Sequence, residues 1–320
     1  MTTTRCCLFA FLLALMTGVN AQVFPDKPIH LLVGYAPGGA VDIVARTVAQ
    51  KISTTLGQPV IVDNKPGAGT NIAVRTLIDA PADGYTLMMS ANALAANPSL
   101  YQPSPFDPER DVVPVSMVGR VPVVIAANAE SAIVSVQKLI EAARAAPGTV
   151  NYASPGNGST PHLAMELFAH AAGIRLSHVP YRGGAPAIID VIGGQLPLVA
   201  VNALEVLPHV KSGKLRVLAV MSPARTAIYP DAPTIAESGQ PGFEAAVWYG
   251  VIAPAATPKA VVAKLHGEIQ KALASTEVRE RMASVGGEVL TMSSEQFGAL
   301  IHAERVRYEK LIREAKIKPD

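Results

Sequence analysis

The sequence predicts an α/β protein of two lobes, each built on a mostly parallel sheet that is flanked by helices. Short β-branched runs alternate with helical patterns along nearly the whole chain; IHLLVGY, for example, precedes a helix with Val41, Val44 and Val48 on one face. The runs are continuously apolar, as is typical of parallel strands buried on both faces. The chain is long enough for two modest domains or one large one, and its apolar fraction of 49% supplies ample core.

The first series of strand–helix units ends before a proline-rich stretch. IHLLVGY leads into its helix, VIVDN leads to NIAVRTLIDA, and YTLMMS leads to ALAANPSL. The stretch YQPSPFDPERDVVPVSMVG then breaks the alternation, and we interpret it as a surface excursion near a domain boundary. Parallel sheets bind ligands beyond the carboxyl ends of their strands, so the loops that connect each strand to its helix are candidates for a binding site.

The second series begins with the strand VPVVIAAN. VNYAS precedes PHLAMELFAHAAG, LSHVPY precedes APAIIDVIGG, and LPLVAVN precedes ALEVLPHVKSG. GFEAAVWYGVIAPAATP then predicts another long strand, and two helices follow, the last from about Ser294 to Ala315.

This order predicts a second lobe inserted into the first. Lobe 1 comprises residues 22–122 plus 248–320, lobe 2 comprises residues 123–247, and strands near Val121 and Trp248 join them. A lone tryptophan usually lies in a core, and the alternative for Trp248 is a place at the mouth of the cleft.

The first 21 residues have the layout of a secretory signal peptide. Arg5 is followed by an apolar segment from Leu8 to Met16, and the stretch ends in VNA, so we expect cleavage after Ala21. A signal anchor that stays attached is the alternative. Both cysteines of the chain lie in this stretch, so the mature protein is expected in the periplasm without disulfides or cysteine chemistry.

The predicted mature chain is nearly neutral. Without Arg5 it has 26 basic residues (27 less one) against 25 acidic residues. No basic run with interleaved aromatic residues occurs, so we expect no nucleic-acid partner. No apolar stretch of membrane length follows the first 21 residues.

The glycine-rich stretch YAPGGAVD, from Tyr35 to Asp42, enters the first predicted helix. It has neither the lysine of a phosphate-binding loop nor the G-x-G-x-x-G spacing of a dinucleotide loop. The N–H groups of a helix N-terminus attract an anion, and Gly38 and Gly39 let a ligand approach the backbone closely. A plain tight turn is the alternative. Asp42 either caps the helix and pairs with Arg46, or contacts the ligand directly.

Three further loops have a similar composition. NKPGAGTNIA, ASPGNGSTPHLA and PYRGGAPA each combine glycines with hydroxyl, amide or guanidinium groups at a strand end. Each is compatible with a simple capped turn. Four such loops, divided between two lobes, favour a ligand cleft whose backbone N–H, Ser, Thr and Asn donors suit a carboxylate.

Residue patterns for catalysis or metal binding are weak. Ser159 and His162 lie three residues apart, but no G-x-S-x-G elbow surrounds the serine. His162 and Glu166 lie one helical turn apart without a visible third metal ligand. We therefore assign no catalytic residue, no metal and no cofactor. A secreted hydrolase that uses Ser159 and His162 is kept as an alternative.

Eight stretches carry a resemblance to a known family, and they occur in order over almost the whole mature chain: YAPGGAVD, NKPGAGTNIA, DGYTLMMS, LYQPSPFDPERDVVPVS, YASPGNGSTPHLAMELF, HVPYRGGAPAIIDVIGGQ, GKLRVLAV and GVIAPAATP. Together they resemble the substrate-binding proteins of tripartite tricarboxylate transporters, the Bug family. The resemblance implies a periplasmic binding protein of the Venus flytrap type. Such a receptor closes its lobes on a small carboxylate and delivers it to the membrane permease subunits of the transporter.

The resemblance also implies roles for two loops. The loop from Pro37 to Asp42 would hold a carboxylate through backbone groups and waters, and the loop from Ser154 to Thr160 would hold the other end of the ligand. Family members often read GQVDVMFDN where this chain has GQLPLVAVN. The acidic residues are replaced at 197 and 201, which weakens the case for an amino-acid ligand. At 70, a threonine replaces a frequent glycine and narrows the pocket.

The predicted site is drawn from the loops of both lobes. Its residues are Tyr35, Pro37, Gly38, Gly39, Ala40, Asp42, Gly67, Gly69, Thr70, Asn71, Ser90, Asn92, Ala93, Ser154, Asn157, Gly158, Ser159, Thr160, Tyr181, Arg182 and Asn202. We expect a monomer whose partners are a small carboxylate and the permease subunits. A ligand-sensing partner of a membrane signalling protein is the alternative to a transport role.

Overall fold

A computed structural model describes residues 24–283 and 286–319, so the predicted signal peptide lies outside the described residues. The strands are β1 (Ile29–Val33), β2 (Val60–Asn64), β3 (Thr86–Ser90), β4 (Val112–Asn128), β5 (Asn151–Ser154), β6 (Ser177–Pro180), β7 (Leu198–Asn202), β8 (Leu215–Val220), β9 (Ala246–Pro254) and β10 (Glu288–Val289). The α-helices are α1 (Ala40–Leu56), α2 (Asn71–Ile78), α3 (Ala93–Leu100), α4 (Val136–Ala145), α5 (Thr160–Ala172), α6 (Gly184–Ile192), α7 (Ala203–Lys211), α8 (Lys259–Ala274), α9 (Thr276–Ala283) and α10 (Ser294–Glu314). A short 3₁₀ helix, Ala68–Thr70, precedes α2.

Several helices begin and end at residues that suit these positions. The side chain of Ser135 caps α4, and Ser293 forms a reciprocal capping box with Gln296 at the start of α10. Helix α1 is followed by Gly57, whose φ of 67° lies in the left-handed region that glycine adopts without a steric penalty. Helix α10 confirms the predicted final helix, from about Ser294 to Ala315, nearly to the residue.

The strands form two sheets that share β4. In the first sheet the order is β2-β1-β3-β9-β4, with β10 also paired to β4. In the second sheet β7 and β8 both pair with β4, and β5 lies between β7 and β6. The pairs β1–β2, β1–β3, β5–β6 and β5–β7 are parallel, whereas the pairs of β4 and β9 are antiparallel. The predicted two-lobed α/β architecture is confirmed, with antiparallel strands where the lobes meet.

Strand β4 carries the chain from one lobe to the other. Its residues from Val112 to Pro122 pair with β9, and the ladder with β7 begins at Val123. The stretch VVPVSMVG forms the first half of this strand, so its prediction as part of a surface excursion was wrong. Register shifts near Pro114 and Gly119 interrupt its ladder, and such irregularities cannot be read from an apolar pattern. The bounds of the two lobes, 22–122 plus 248–320 and 123–247, stay a prediction.

Helices cover both faces of each sheet. In lobe 1, buried residues of α1 and α8 pack on one face, and those of α2, α3 and α10 pack on the other. In lobe 2, α4 and α5 cover one face, and α6 and α7 cover the other. Trp248 is 5% exposed and packs edge-to-face on Phe297 with ring centroids 5.4 Å apart, so the core interpretation of Trp248 is confirmed. Within residues 24–283 and 286–319, no helix is both long and apolar enough to cross a membrane.

Candidate functional site

Four helix N-termini converge between the lobes. Helix α1 follows β1 in lobe 1, while α5, α6 and α7 follow β5, β6 and β7 in lobe 2. Their ends surround a small space of about 20 Å³, which we call the inner cavity, lined by Tyr35, Gly39, Ala40, Val41, Ala91, Pro155, Ser159, Thr160, Pro161, Gly184, Asn202, Glu205 and Val247. Helix N-termini present N–H groups that have no acceptor within the helix, together with a positive partial charge. The inner cavity therefore suits a negatively charged group.

The two lobes touch directly around this cavity. The backbone N–H of Ala36 in lobe 1 donates to the carbonyl of Arg182 in lobe 2 over 2.8 Å. A Cβ atom on Gly158 would overlap Oδ1 of Asn97 in the opposite lobe, and the φ of Gly158 is 72°. Only a residue without a side chain allows this approach. The structure is therefore that of a closed cleft.

A second space, the outer cavity, opens beside the inner one and has a volume of about 510 Å³. Its lining comes from both lobes and comprises Gly34, Tyr35, Pro66, Gly67, Ala68, Gly69, Thr70, Ile72, Tyr101, Pro155, Gly156, Asn157, Pro180, Tyr181 and Arg182. Tyr35 and Pro155 line both cavities and form the boundary between them. A larger hollow of about 720 Å³ lies on lobe 1 between residues 98–111 and helix α10, and no predicted site residue lines it.

Asp42 is held by groups of its own lobe. Its carboxylate accepts from the N–H of Gly38 at 3.0 Å, from Nε of Arg46 at 2.9 and 3.0 Å, and from Nδ2 of Asn64 at 3.0 Å. Burial opposes its charge, but these hydrogen bonds prevail and lower the pKa of Asp42. The predicted pair with Arg46 is confirmed, and these contacts shape the entry to α1. Direct contact of Asp42 with a ligand stays a prediction.

Three buried polar atoms at the inner cavity lack a hydrogen-bond partner among the described residues. They are Oγ1 of Thr160, Oδ1 of Asn202 and Oε2 of Glu205. The three side chains are 4%, 4% and 8% exposed. A buried polar group without a partner costs about 1–3 kcal/mol, so proteins rarely leave three together without a use for them. The site therefore offers one hydroxyl donor and two acceptors to a molecule held between the lobes.

Glu205 is the side chain that the sequence prediction missed. It lies in the first turn of α7, and its Oε1 accepts from Nδ2 of Asn202 over 2.8 Å. Burial raises its pKa from 4.5 to about 7, although the side-chain amide of Asn202 and the backbone N–H groups of Ala40 and Asn202 favour the charged form. In the sequence, an acidic residue in a first helical turn indicates only a favourable position in the helix dipole. The signal that could have identified it is its place three residues after the predicted site residue Asn202.

The tyrosines Tyr35 and Tyr249 lie near this carboxyl group. Burial raises the pKa of each phenol, and the charge of Glu205 raises it further. Both phenols therefore stay neutral at physiological pH. Their polar ends add neutral groups to the surroundings of the inner cavity.

Ser159 and His162 form a helix cap and not a catalytic pair. Oγ of Ser159 accepts from the backbone N–H of His162 at 3.4 Å, and Nδ1 of His162 accepts from the N–H of Gly158 at 3.2 Å. Burial lowers the pKa of His162 well below its usual value, and its ring stacks on His178 at 4.0 Å. Glu166 accepts from the phenol of Tyr152 at 2.7 Å. No three His, Cys, Asp or Glu side chains of the described residues are grouped as a metal site.

Several predicted residues lie outside both cavities. Oγ of Ser90 donates to the carbonyl of Gly250 at 2.9 Å, and Asn92 donates to the phenol of Tyr308 at 2.9 Å and accepts from the N–H of Trp248 at 3.0 Å. The residues that line neither cavity are Pro37, Gly38, Asp42, Asn71, Ser90, Asn92, Ala93, Ser154 and Gly158.

The other predicted residues are divided between the cavities. Gly39, Ala40, Ser159, Thr160 and Asn202 line the inner cavity. The outer cavity is lined by Gly67, Gly69, Thr70, Asn157, Tyr181 and Arg182, and Tyr35 lines both.

Comparisons with known proteins give consistent matches over most of the chain. Residues 44–317 match the family model described as tripartite tricarboxylate transporter family receptor. Protein BugT of Bordetella pertussis is 38% identical over 304 residues, with 94% of this chain and 93% of BugT covered.

Two solved structures are similar in fold and sequence. The structure of R. palustris Rpa4515 with adipate has a TM-score of 0.89 at 34% identity, covering 93% of this chain and all of that one. The structure of MatC (Rpa3494) from Rhodopseudomonas palustris with bound malate has a TM-score of 0.86 at 28% identity, covering 90% of this chain and all of that one.

Proposed function

The chain belongs to the tripartite tricarboxylate transporter receptor family, whose members are solute receptors and not enzymes, and from this premise we propose that it binds a small carboxylate between its lobes. Because the family consists of receptors, we no longer consider the alternative of a secreted hydrolase. The ligand class is drawn from the inner cavity and from two similar proteins that were solved with adipate and with malate. Delivery of the bound acid to a membrane transporter is part of the same proposal.

One observation carries the ligand class. The N-termini of α1, α5, α6 and α7 point at one space from two lobes, and a buried hydroxyl of Thr160 faces that space without a partner. A single exposed helix N-terminus stabilises an anion by about 0.3–1 kcal/mol, and a partly buried one by up to about 2. Micromolar binding needs about 8 kcal/mol. Several converging ends, closed off from water, provide a substantial part of that figure.

The proposed ligand spans the two cavities. Its carboxylate lies among the backbone of Gly39 and Ala40 and the caps at Ser159 and Thr160. The remainder of the molecule extends past Tyr35 into the outer cavity, where Gly67, Gly69, Thr70, Asn157, Tyr181 and Arg182 lie. We extend the proposal to export into the periplasm, cleavage after Ala21 and a monomeric receptor.

A thermal-shift screen of the mature chain from Gln22 tests the binding proposal. The protein is unfolded and refolded first, to remove any co-purified ligand, and is then mixed with mono-, di- and tricarboxylates. A bound acid at a hundredfold excess over its Kd stabilises the folded state by about 2.7 kcal/mol. The matched control is the amide of each active acid, which keeps the shape and loses the charge.

The expected result is a clear shift with a narrow set of acids and none with their amides. A flat screen on refolded protein, or equal shifts with acids and amides, contradicts carboxylate binding. For transport, deletion of the gene is expected to abolish uptake of the active acid in the source cells. Unchanged uptake with a changed transcriptional response to that acid would favour the signalling alternative.

A further inference from the structure

The carboxyl group of Glu205 lies at the place where a ligand carboxylate would be held. Oε1 is bound to the Asn202 side chain, whereas Oε2 has no donor at hydrogen-bond geometry among the described residues. A Cβ atom built on Gly184, the first residue of α6, would overlap Oε2, and one built on Gly39 of the opposite lobe would lie 3.7 Å from it. Oε2 of Glu205 is therefore wedged between the N-termini of α6 and α1, where the backbone N–H of Ala40 favours its charge without meeting hydrogen-bond geometry at Oε2.

This position imposes a condition on any carboxylate ligand. Two carboxylates at close range cannot both keep their charge in a space shielded from water. Among the described residues, the lining of the inner cavity includes no lysine, arginine or histidine that could separate them. Either the ligand brings a hydrogen-bond donor to Oε2, or a proton is taken up when the ligand binds.

We propose that Glu205 determines the specificity of the cleft, by selecting carboxylates that carry a hydroxyl or ammonium donor beside the carboxylate over those that carry none. The inference rests on the proposed carboxylate function and narrows it to 2-hydroxy or 2-amino acids. A hydroxyl or ammonium group satisfies Oε2, while the adjacent carboxylate meets the helix N-termini and the Thr160 hydroxyl. Family members often have acidic residues at 197 and 201, and this chain lacks both. Glu205 provides an acidic group in their place.

Calorimetric titration with matched acids tests this inference. Each set has one carbon skeleton and bears hydrogen, hydroxyl or ammonium at C2: propionate, lactate and alanine; succinate, malate and aspartate; and the corresponding five- and six-carbon dicarboxylates. In the sets that bind at pH 7.5, we expect an acid with a donor to bind at least tenfold more tightly than the plain acid. Glu205→Gln should reduce this ratio below threefold, mainly by improving the plain acid. Glu141→Gln, on the exposed side of α4 in the same lobe, is the control and should keep the ratio.

The pH dependence of the wild type gives an independent readout that does not require a variant to fold. The titratable groups that face Glu205 are Tyr35 from lobe 1 and Tyr249 from β9, and neither phenol ionises near pH 7. A plain acid that takes up one proton on binding should bind roughly five- to tenfold less tightly at pH 8 than at pH 7. The affinity for the amino acid of the same set should stay within twofold.

The outcomes separate the two proposals. If plain acids bind as tightly as their hydroxy and amino analogues, without a pH dependence or an effect of Glu205→Gln, the role of Glu205 is refuted and carboxylate binding stands. If none of the acids binds at either pH, the proposed function fails, and the inference fails with it.

Discussion

Glu205→Gln is expected to stabilise the ligand-free protein, by an amount that grows with pH. The pKa of the Glu205 carboxyl is about 7 in the folded protein and 4.5 for an ordinary glutamate. Between these values the folded state holds a proton that the unfolded chain releases, so the stability of the wild type falls as pH rises from 4.5 to 7 and is level above. At about 1.4 kcal/mol for each tenfold change in proton affinity, the total loss is about 3 kcal/mol. The neutral amide keeps the shape and does not titrate.

Urea unfolding of both proteins between pH 5 and pH 8 measures the effect. The difference in unfolding free energy should be about 1 kcal/mol at pH 5 and at most about 3 kcal/mol at pH 8. The latter figure is a ceiling because opening of the cleft returns the carboxyl group to water. Glu141→Gln removes an exposed carboxylate of the same lobe and should follow the wild type. Parallel stability curves for Glu205→Gln and the wild type would refute the burial of Glu205 in a closed cleft.

Three further substitutions test the cleft. Gly39→Val should weaken binding of the active acid at least tenfold in calorimetry, because the methyl groups of valine enter the gap between the lobes. The control Gly39→Ala should bind nearly as tightly as the wild type, because there is room for a Cβ atom at this position. Thr160→Val should weaken binding about tenfold, because it removes the buried hydroxyl proposed to meet the ligand. Its free energy of unfolding in urea should be equal to that of the wild type or slightly higher, because this hydroxyl has no partner in the protein; a lower value would contradict this assignment. Gly158→Ala should hold the lobes apart and raise the radius of gyration in X-ray scattering, whereas Gly148→Ala, which has the same positive φ and open space, should not.

The alternation of strands and helices could be predicted because both faces of each sheet are covered. Buried parallel strands are continuously apolar, and the helix that follows each one shows its own period. The predicted β1, β5 and β7 units occur in this form. Strand β6 is also followed by its predicted helix, although it lies at the sheet edge and is only partly buried. Strand β4 could not be predicted as one strand, because its two halves pair with different sheets and its register shifts near Pro114 and Gly119.

The part of the site that follows strand ends was accessible from the sequence. Gly39, Ser159 and Thr160 lie at the ends of the glycine-rich loops that follow β1 and β5, and the composition of these loops predicted them. Asn202, the last residue of β7, was predicted from the family resemblance. Asn92 has the same kind of position after β3 but lies within lobe 1. It is held there by Tyr308, which is 216 residues away in the sequence. A contact of that separation has no local signature.

Glu205 was missed because its significance depends on closure of the cleft. Within α7 alone, an acid in the first turn stabilises the helix and needs no further explanation. Closure brings the N-terminus of α1 against it, removes water and leaves Oε2 without a donor. The replacement of acids at 197 and 201 suggested a cleft without a partner for an ammonium group. Glu205, in the first turn of the helix that follows, places a carboxyl group in the cleft again. The charge of the cleft therefore depends on which side chains meet in three dimensions, and matched positions in a motif do not give it.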